Sequence, residues 1–202
     1  MSREVILTTP LKSEDVMSLR VRDVVYINGV VYTARDLAHI RIAEYLKEGK
    51  PLPVDLRGAV IYHAGPATRR KNDEWEMIVI GPTTSMRMEP FSELLLGRLG
   101  VKAIVGKGGM GEGTQEALKK YVGVYLLAPP GCGVLQAKFV KRILTVHWLD
   151  LGMPEAIWVL EVSNWGPLVV AMDSHGGDLF KDVKEGAIKK MHEILKSWAV
   201  LQ

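Results

Sequence analysis

Three short stretches could do chemistry, and all have one form. In VVYTARD (Val30 to Asp36), VIGPTTSMRM (Val79 to Met88) and IVGKGGMGEGT (Ile104 to Thr114), an apolar strand-like run meets a turn of small or hydroxyl residues, and a helix is predicted next. Helix N-termini carry free N–H groups and about half a positive charge, so they attract anions. Each stretch also carries a cation: Arg35, Arg87 and Lys107. If the three converge, they form a pocket of two guanidinium forks, one ammonium and the hydroxyls of Thr33, Thr83, Thr84 and Ser85. Arginine meets a carboxylate through two parallel hydrogen bonds, so such a pocket suits a small anion with more than one carboxylate. The bland alternative is a set of surface cations and ordinary helix caps. The recurrence of one device in three places argues against it.

His39 follows Arg35 by one helical turn, so both fall on one helix face. It is either a partly buried histidine or an acid/base group beside the anion pocket. Asp36 could orient a neighbour. His63, His147 and His192 have no comparable company in sequence, and His175, in DSHGGD, reads as a turn residue. No H-E-x-x-H, G-x-S-x-G or His/Cys cluster occurs, which removes metalloprotease and serine-hydrolase readings. Gly106 to Gly111 fits G-x-G-x-x-G after a strand, the runner-up being a dinucleotide site. Its context is poor, because the next strand ends at Ala128-Pro129-Pro130 with no acidic residue to hold a ribose. Cys132, in Gly131-Cys132-Gly133, reads as a buried small hydrophobe rather than a nucleophile.

The elements that must position these groups alternate. Leu7 to Arg22 reads as an arm before the fold proper. Asp23 to Ala34 reads as two strands turned at Asn28-Gly29, the strongest short hairpin signal. A helix follows to Gly49, with Leu37, Ile40, Ala43 and Leu46 on one face. Strands are predicted over 59–64, 76–80, 101–105, 122–128, 143–148, 156–162 and 168–172. Helices are predicted over 90–98, 114–121, 134–141 and within 178–198. In the last, Ile188, Met191, Ile194, Leu195 and Trp198 recur at helical spacing. Strands cluster on either side of a βα-rich middle, which suggests an α/β fold: a mixed sheet or layered β/β/α domain rather than a purely parallel one. No linker or repeat appears, so residues 1–202 are read as a single domain.

Composition narrows the function classes. The 202 residues hold 26 Lys and Arg against 23 Asp and Glu, a net charge of +3 that is too weak to argue for nucleic acid. No apolar run nears the ~18 residues of a membrane span, and the N-terminus lacks a signal-peptide core. A cytoplasmic protein is expected. The single cysteine excludes an internal disulfide framework and a zinc or iron–sulfur site built by this chain alone.

At the three junctions the sequence resembles a known family. TARDLAH (Thr33 to His39), GPTTSMRM (Gly81 to Met88) and GKGGMG (Gly106 to Gly111) look like motifs of the β subunit of two-subunit class I fumarate hydratases and L(+)-tartrate dehydratases. The same unit forms the C-terminal domain of single-chain class I fumarases. ILTTPL, YHAGP, APPGCGVL and HWLDLGMPEAIWVLEV support the likeness, which runs from about Ile6 to Phe180. It implies a swivelling β/β/α fold and a hydro-lyase interconverting fumarate and L-malate, or one acting on L(+)-tartrate. It also implies a [4Fe–4S] cluster held by an iron–sulfur α subunit, commonly in an α2β2 assembly, and not by this chain. Carried over residue by residue, Arg35 and Arg87 would clamp substrate carboxylates, with Thr84 beside them. Lys107 would add charge stabilisation, and Thr83 or His39 would be the base. Gly108 and Gly109 would let backbone approach the ligand, with Asp36 behind the arginines. The competing classes are a non-catalytic dicarboxylate-binding module and a nucleotide-dependent oxidoreductase.

Overall fold

The computed structural model describes residues 3–199. Nine strands and five α-helices of four residues or more carry the chain through two sheets. In chain order they are β1 (Glu4–Thr8), α1 (Ser13–Met17), β2 (Val24–Thr33), α2 (Asp36–Lys47), β3 (Val60–Tyr62), β4 (Ala64–Lys71), β5 (Glu74–Pro82), β6 (Ala103–Gly106), α3 (Glu112–Tyr121), β7 (Val124–Leu127), α4 (Gly133–Lys138), β8 (Val140–His147), β9 (Ile157–Met172) and α5 (Leu179–Ala199). The fold is mixed α/β. Strands β1, β2, β3, β6 and β7 run parallel in that order, and β9 pairs antiparallel with β7, β8 and β2. The β2–β9 pairing closes β2, β3, β6, β7 and β9 into a ring. Strands β4 and β5 form a separate hairpin.

Alternation along the parallel strands divides the core. Val60, Tyr62, Ala103, Val105, Val124 and Leu126 face one cluster, which also takes in Trp158 and Trp165. Their neighbours Ile61, Ile104 and Tyr125 face a second cluster, covered by Ala38 and Ile42 of α2 and Ala117 and Leu118 of α3. Burying strands on both faces is what covered parallel sheets require. Each fully buried large aliphatic contributes about 1.5–3 kcal/mol over its exposed state.

Several sequence expectations are corrected. Val24–Thr33 is one strand, not a hairpin. A type I′ turn needs positive φ at both central residues, and here only Gly29 (φ 98°) has it. That glycine makes a bulge against β9 instead. A Cβ on it would lie 2.5 Å from Thr9 Oγ1. The supposed arm contributes β1 and α1, with Leu7, Leu11, Val16 and Leu19 buried in the first cluster. The two strands expected over 156–172 are a single long β9. The helix expected over 90–98 is a 3-10 turn, Ser85–Phe91, followed by a π turn, Leu94–Arg98. Helix α2 is rotated from the expected face: it buries Ala38, His39 and Ile42 and exposes Leu37 and Ile40. The amphipathic pattern of α5 is present, but Ile188, Met191, Leu195 and Trp198 stand exposed. No helix among the described residues is long and apolar enough to cross a membrane.

Candidate active site

Strands β2, β3 and β6 are neighbours, and all end on the same side. Carboxyl ends of parallel strands are where open α/β sheets bind ligands. The first junction leaves β2, and the third leaves β6. The second junction is delivered by the hairpin. Ala64 pairs with Pro82, which brings the end of β5 beside the end of β3. The Thr83 N–H then donates to the His63 carbonyl at 2.7 Å. Thr84 bridges Lys107, locked by Ser85 N–H to the Lys107 carbonyl at 3.1 Å and Lys107 N–H to the Thr83 carbonyl at 3.3 Å. The three junctions do meet.

Arg87 is the hinge of the arrangement. Its Nε and Nη2 grip the two oxygens of Asp36 at 2.8 and 2.9 Å, and Nη2 also donates to Thr83 Oγ1 at 2.8 Å. Asp36 therefore orients the arginine by one forked edge and leaves the Nη1 end free. The Arg87 guanidinium in turn holds the Asp36 carboxyl below the usual carboxylate range. Arg35 lies 4.0 Å from Asp36 and 3.2 Å from Glu155. A Cβ on Gly65 would sit 2.7 Å from Arg35 Nη1, so the glycine of YHAGP makes room for that guanidinium. Lys107 is half-buried and Thr84 exposed. Gly108 takes a left-handed backbone (φ 74°), and Gly109 lies against the Phe180 ring. Arg87 and Asp36 have side chains 44% and 32% exposed, so the face is open to solvent.

Some predicted groups are spent elsewhere. Thr33 is fully buried; its hydroxyl donates to the Ala156 carbonyl and accepts from Trp158 N–H. Ser85 is buried too, beneath the site rather than in it. The helix N-termini offered to a substrate anion are already occupied. Glu155 accepts from Leu37 N–H at the start of α2. Glu89 accepts from the N–H groups of Gly111 and Thr114 at the start of α3, and from the Thr114 hydroxyl. The second of these carboxylates fills the place a dinucleotide pyrophosphate would need. Cys132 is half-buried rather than buried and precedes α4.

Sequence reasoning missed Glu89, Glu155, His63 and Tyr125. Glu155 and His63 lie inside stretches that carried the resemblance, but their partners are far off in the chain, so no spacing marked them.

His39 is not on the open face. It is completely buried, with Nδ1 2.7 Å from the Arg35 carbonyl and Nε2 unpartnered. Its ring meets that of His63 edge-on at 5.1 Å. Burial pushes His39 down to about 4, and burial plus the neighbouring His39 lowers His63 well below its ordinary value. Unfolded histidine titrates near 6.5, so below that pH the unfolded chain takes up protons the folded chain refuses. Stability is thus full above about pH 6.5 and falls as the pH drops toward 4. His39 alone predicts a loss of about 2 kcal/mol between pH 8 and pH 5. Urea unfolding at the two pH values measures it, and equal stabilities would contradict it.

Among the described residues no three His, Cys, Asp or Glu side chains converge as a metal site, and the sequence has one cysteine. One cysteine falls short of the three or four thiolates by which proteins hold a four-iron cluster.

Fold and site together define an α/β protein that gathers Arg35, Arg87 and Lys107 at its strand ends. The chain belongs to the Fumarase C-terminus family, which matches residues 1–183. It is 49% identical over 180 residues to the L(+)-tartrate dehydratase subunit beta of Escherichia coli (strain K12), covering 89% of this chain and 88% of that one. It is 49% identical over 186 residues to a putative L(+)-tartrate dehydratase subunit beta of Methanocaldococcus jannaschii, covering 92% and 95%. It is 41% identical over 192 residues to a putative fumarate hydratase class I of Geobacillus stearothermophilus, covering 95% of this chain and 36% of that protein.

Proposed function

We propose that this chain is the β subunit of a two-subunit cytoplasmic hydro-lyase that reversibly hydrates fumarate to L-malate. Its residues 1–202 act as one swivelling β/β/α domain, and it turns over only with an iron–sulfur α subunit, in an α2β2 assembly. The observation that carries the reading is Arg87, fixed by Asp36 and hydrogen-bonded to Thr83 Oγ1. One group thereby links a carboxylate clamp to a candidate base. Exposed Leu37 and Met86 adjoin Asp36 and Arg87 in the chain, exposed Ile40 lies one helical turn after Asp36, and together they offer a partner apolar surface beside the site.

Removing a proton next to a carboxylate builds negative charge on that carboxylate. Arg35, the free end of Arg87 and Lys107 are the groups that meet it, acting where charge develops rather than on the ground state. Thr83 releases its own proton to solvent water and, as the alkoxide, takes the proton from the substrate carbon. A threonine hydroxyl is a weak acid, and the Arg87 donor stabilises the oxygen that must carry charge. Thr84, Gly108 and Gly109 bound the substrate on the side of the glycine loop. His39, sealed below, supports α2 through the Arg35 carbonyl. The iron–sulfur centre that the resemblance implies belongs to the partner; this chain supplies anion binding and proton handling.

The names of the relatives at 49% identity favour a second reading, L(+)-tartrate as substrate. The two diacids present the same pair of carboxylates. Anaerobic co-expression with the iron–sulfur partner, followed by assays of malate formation from fumarate and oxaloacetate formation from tartrate, separates them. A complex with an intact cluster that turns over neither substrate overturns both readings.

A further inference from the structure

Arg35 stands at the N-cap of α2, where its own side chain makes no cap hydrogen bond. An arginine side chain donates and cannot accept. The first N–H groups of the helix therefore need an acceptor from another segment. Glu155 brings one from 118 residues away: its Oε2 accepts from Leu37 N–H at 2.9 Å. The same carboxylate presents its other oxygen to the arginine. Glu155 Oε1 lies 3.2 Å from Arg35 Nε, at the root of the guanidinium fork. That nitrogen is buried and has no aligned hydrogen bond, so the facing charge is what compensates it. Asp36 lies farther from the same nitrogen, at 4.0 Å, and Arg87 already occupies both of its oxygens at 2.8 and 2.9 Å.

Glu155 is itself held in place. It closes a tight turn in which the N–H groups of Glu155 and Ala156 both donate to the Gly152 carbonyl at 3.0 Å. Strand β4 reaches this turn through Thr68 N–H, which donates to Met153 Sδ at 3.3 Å. Trp158 Nε1 donates to the Met153 carbonyl at 2.8 Å. The buried Thr33 hydroxyl donates to the Ala156 carbonyl at 3.2 Å. Thr33 comes just before Arg35 in the chain, so the strand end that carries the arginine is bonded to the turn that carries the glutamate. A Cβ on Gly65 would lie 2.7 Å from Arg35 Nη1 and 2.8 Å from the Pro154 carbonyl, so that glycine admits both segments. The Arg35 and Glu155 side chains are 27% and 15% exposed, and their pairing is less screened than one in open solvent.

We propose that Glu155 is a positioning residue of this site: it fixes Arg35 twice, by capping the helix that begins there and by facing its guanidinium. It does not touch substrate. Each arginine then has its own carboxylate, Asp36 for Arg87 and Glu155 for Arg35, and a diacid meets two forks at a set spacing. The kinetic consequence rests on the hydro-lyase reading, whereas the fixing of Arg35 does not.

Glu155→Gln separates the two duties. Its amide oxygen still accepts from Leu37 N–H, but no charge faces Arg35. Nitrogen-15 relaxation of the full chain should show a rigid Arg35 Nε–H, with an order parameter of about 0.85, falling below about 0.6 in Glu155→Gln. A wild-type Nε–H already below about 0.6, or one unmoved by the substitution, overturns the proposal whatever the enzyme does. In the assembled enzyme, Glu155→Gln should lower kcat/KM by about tenfold to a hundredfold, the scale of a misplaced clamp. Its melting temperature should stay within about one degree of wild type, whereas Glu155→Ala, which also loses the cap, should melt about 2–4 °C lower. In an Arg35→Met background Glu155→Gln should cost less than about threefold, because the group it positions is gone. Wild-type kcat/KM in Glu155→Gln, an undiminished loss in the Arg35→Met background, or a Glu155→Gln that melts as low as Glu155→Ala overturns the proposal. Where Arg35→Met turns over too slowly to compare, the order parameters decide. A wild-type complex inactive on both diacids instead overturns the functional reading, and the relaxation result still decides whether Glu155 holds Arg35.

Discussion

Arg87→Met should lower kcat/KM of the assembled enzyme by about a thousandfold or more while leaving the fold intact. Removing a single donor from a developing oxyanion costs about 10²–10³ in rate. On the proposed reading Arg87 has two such duties, since it would meet the substrate carboxylate and it donates to Thr83 Oγ1 at 2.8 Å. The structural cost is small, because its pairing with Asp36 is solvent-exposed at 44% of the arginine side chain, and exposed pairs are worth about 0–1 kcal/mol. Circular dichroism and thermal melting should match wild type. Arg87→Lys should recover only part of the rate, since an ammonium cannot hold Asp36, Thr83 and a substrate in one plane. A kcat/KM unchanged in Arg87→Met would remove the residue from the site.

Thr83→Ala should lower kcat by about 10²–10⁴, the range for loss of a positioned proton-transfer group. KM should change far less, because the carboxylate clamp remains. Thr83→Ser keeps the hydroxyl and should keep most of the rate. The alternative base makes a different prediction. A catalytic His39 would be protonated, and useless as a base, below its pKa of about 4; kcat/KM would then fall on the acid side near that value. Thr83 as base puts no such limb there. Retention of kcat within about tenfold in Thr83→Ala would place the base elsewhere.

The three junctions were legible because chemistry was written in residue type: a cation beside hydroxyls after each apolar run. Their convergence follows from parallel strands, which put successive turns on one side. Depth was not legible. Thr33, Thr83, Thr84 and Ser85 look alike in sequence, yet Thr33 spends its hydroxyl on β9 and Ser85 lies under the site. Glu155 reaches Leu37 across 118 residues, and Glu89 reaches Thr114 across 25. No local pattern encodes such partners, so the helix N-termini seemed free. Asn28-Gly29 misled for a related reason. The dipeptide permits a tight turn, but long-range pairing of Val24–Thr33 with β9 outweighed it. In α2 the apolar period pointed to the face of Leu37 and Ile40, yet the face of Ala38, His39 and Ile42 is the one that packs on the sheet.

On the proposed reading, the pairing of Asp36 and Glu155 with the two arginines also governs how a substrate would arrive. Three positive side chains (Arg35, Arg87 and Lys107) stand against two negative ones, which leaves a single excess charge. A lone excess charge is screened within about 8 Å at physiological salt. It casts too weak a field to draw diacids from bulk solution. Capture should then be nearly indifferent to ionic strength, and discrimination rests on the fit of forked donors after contact rather than on attraction before it.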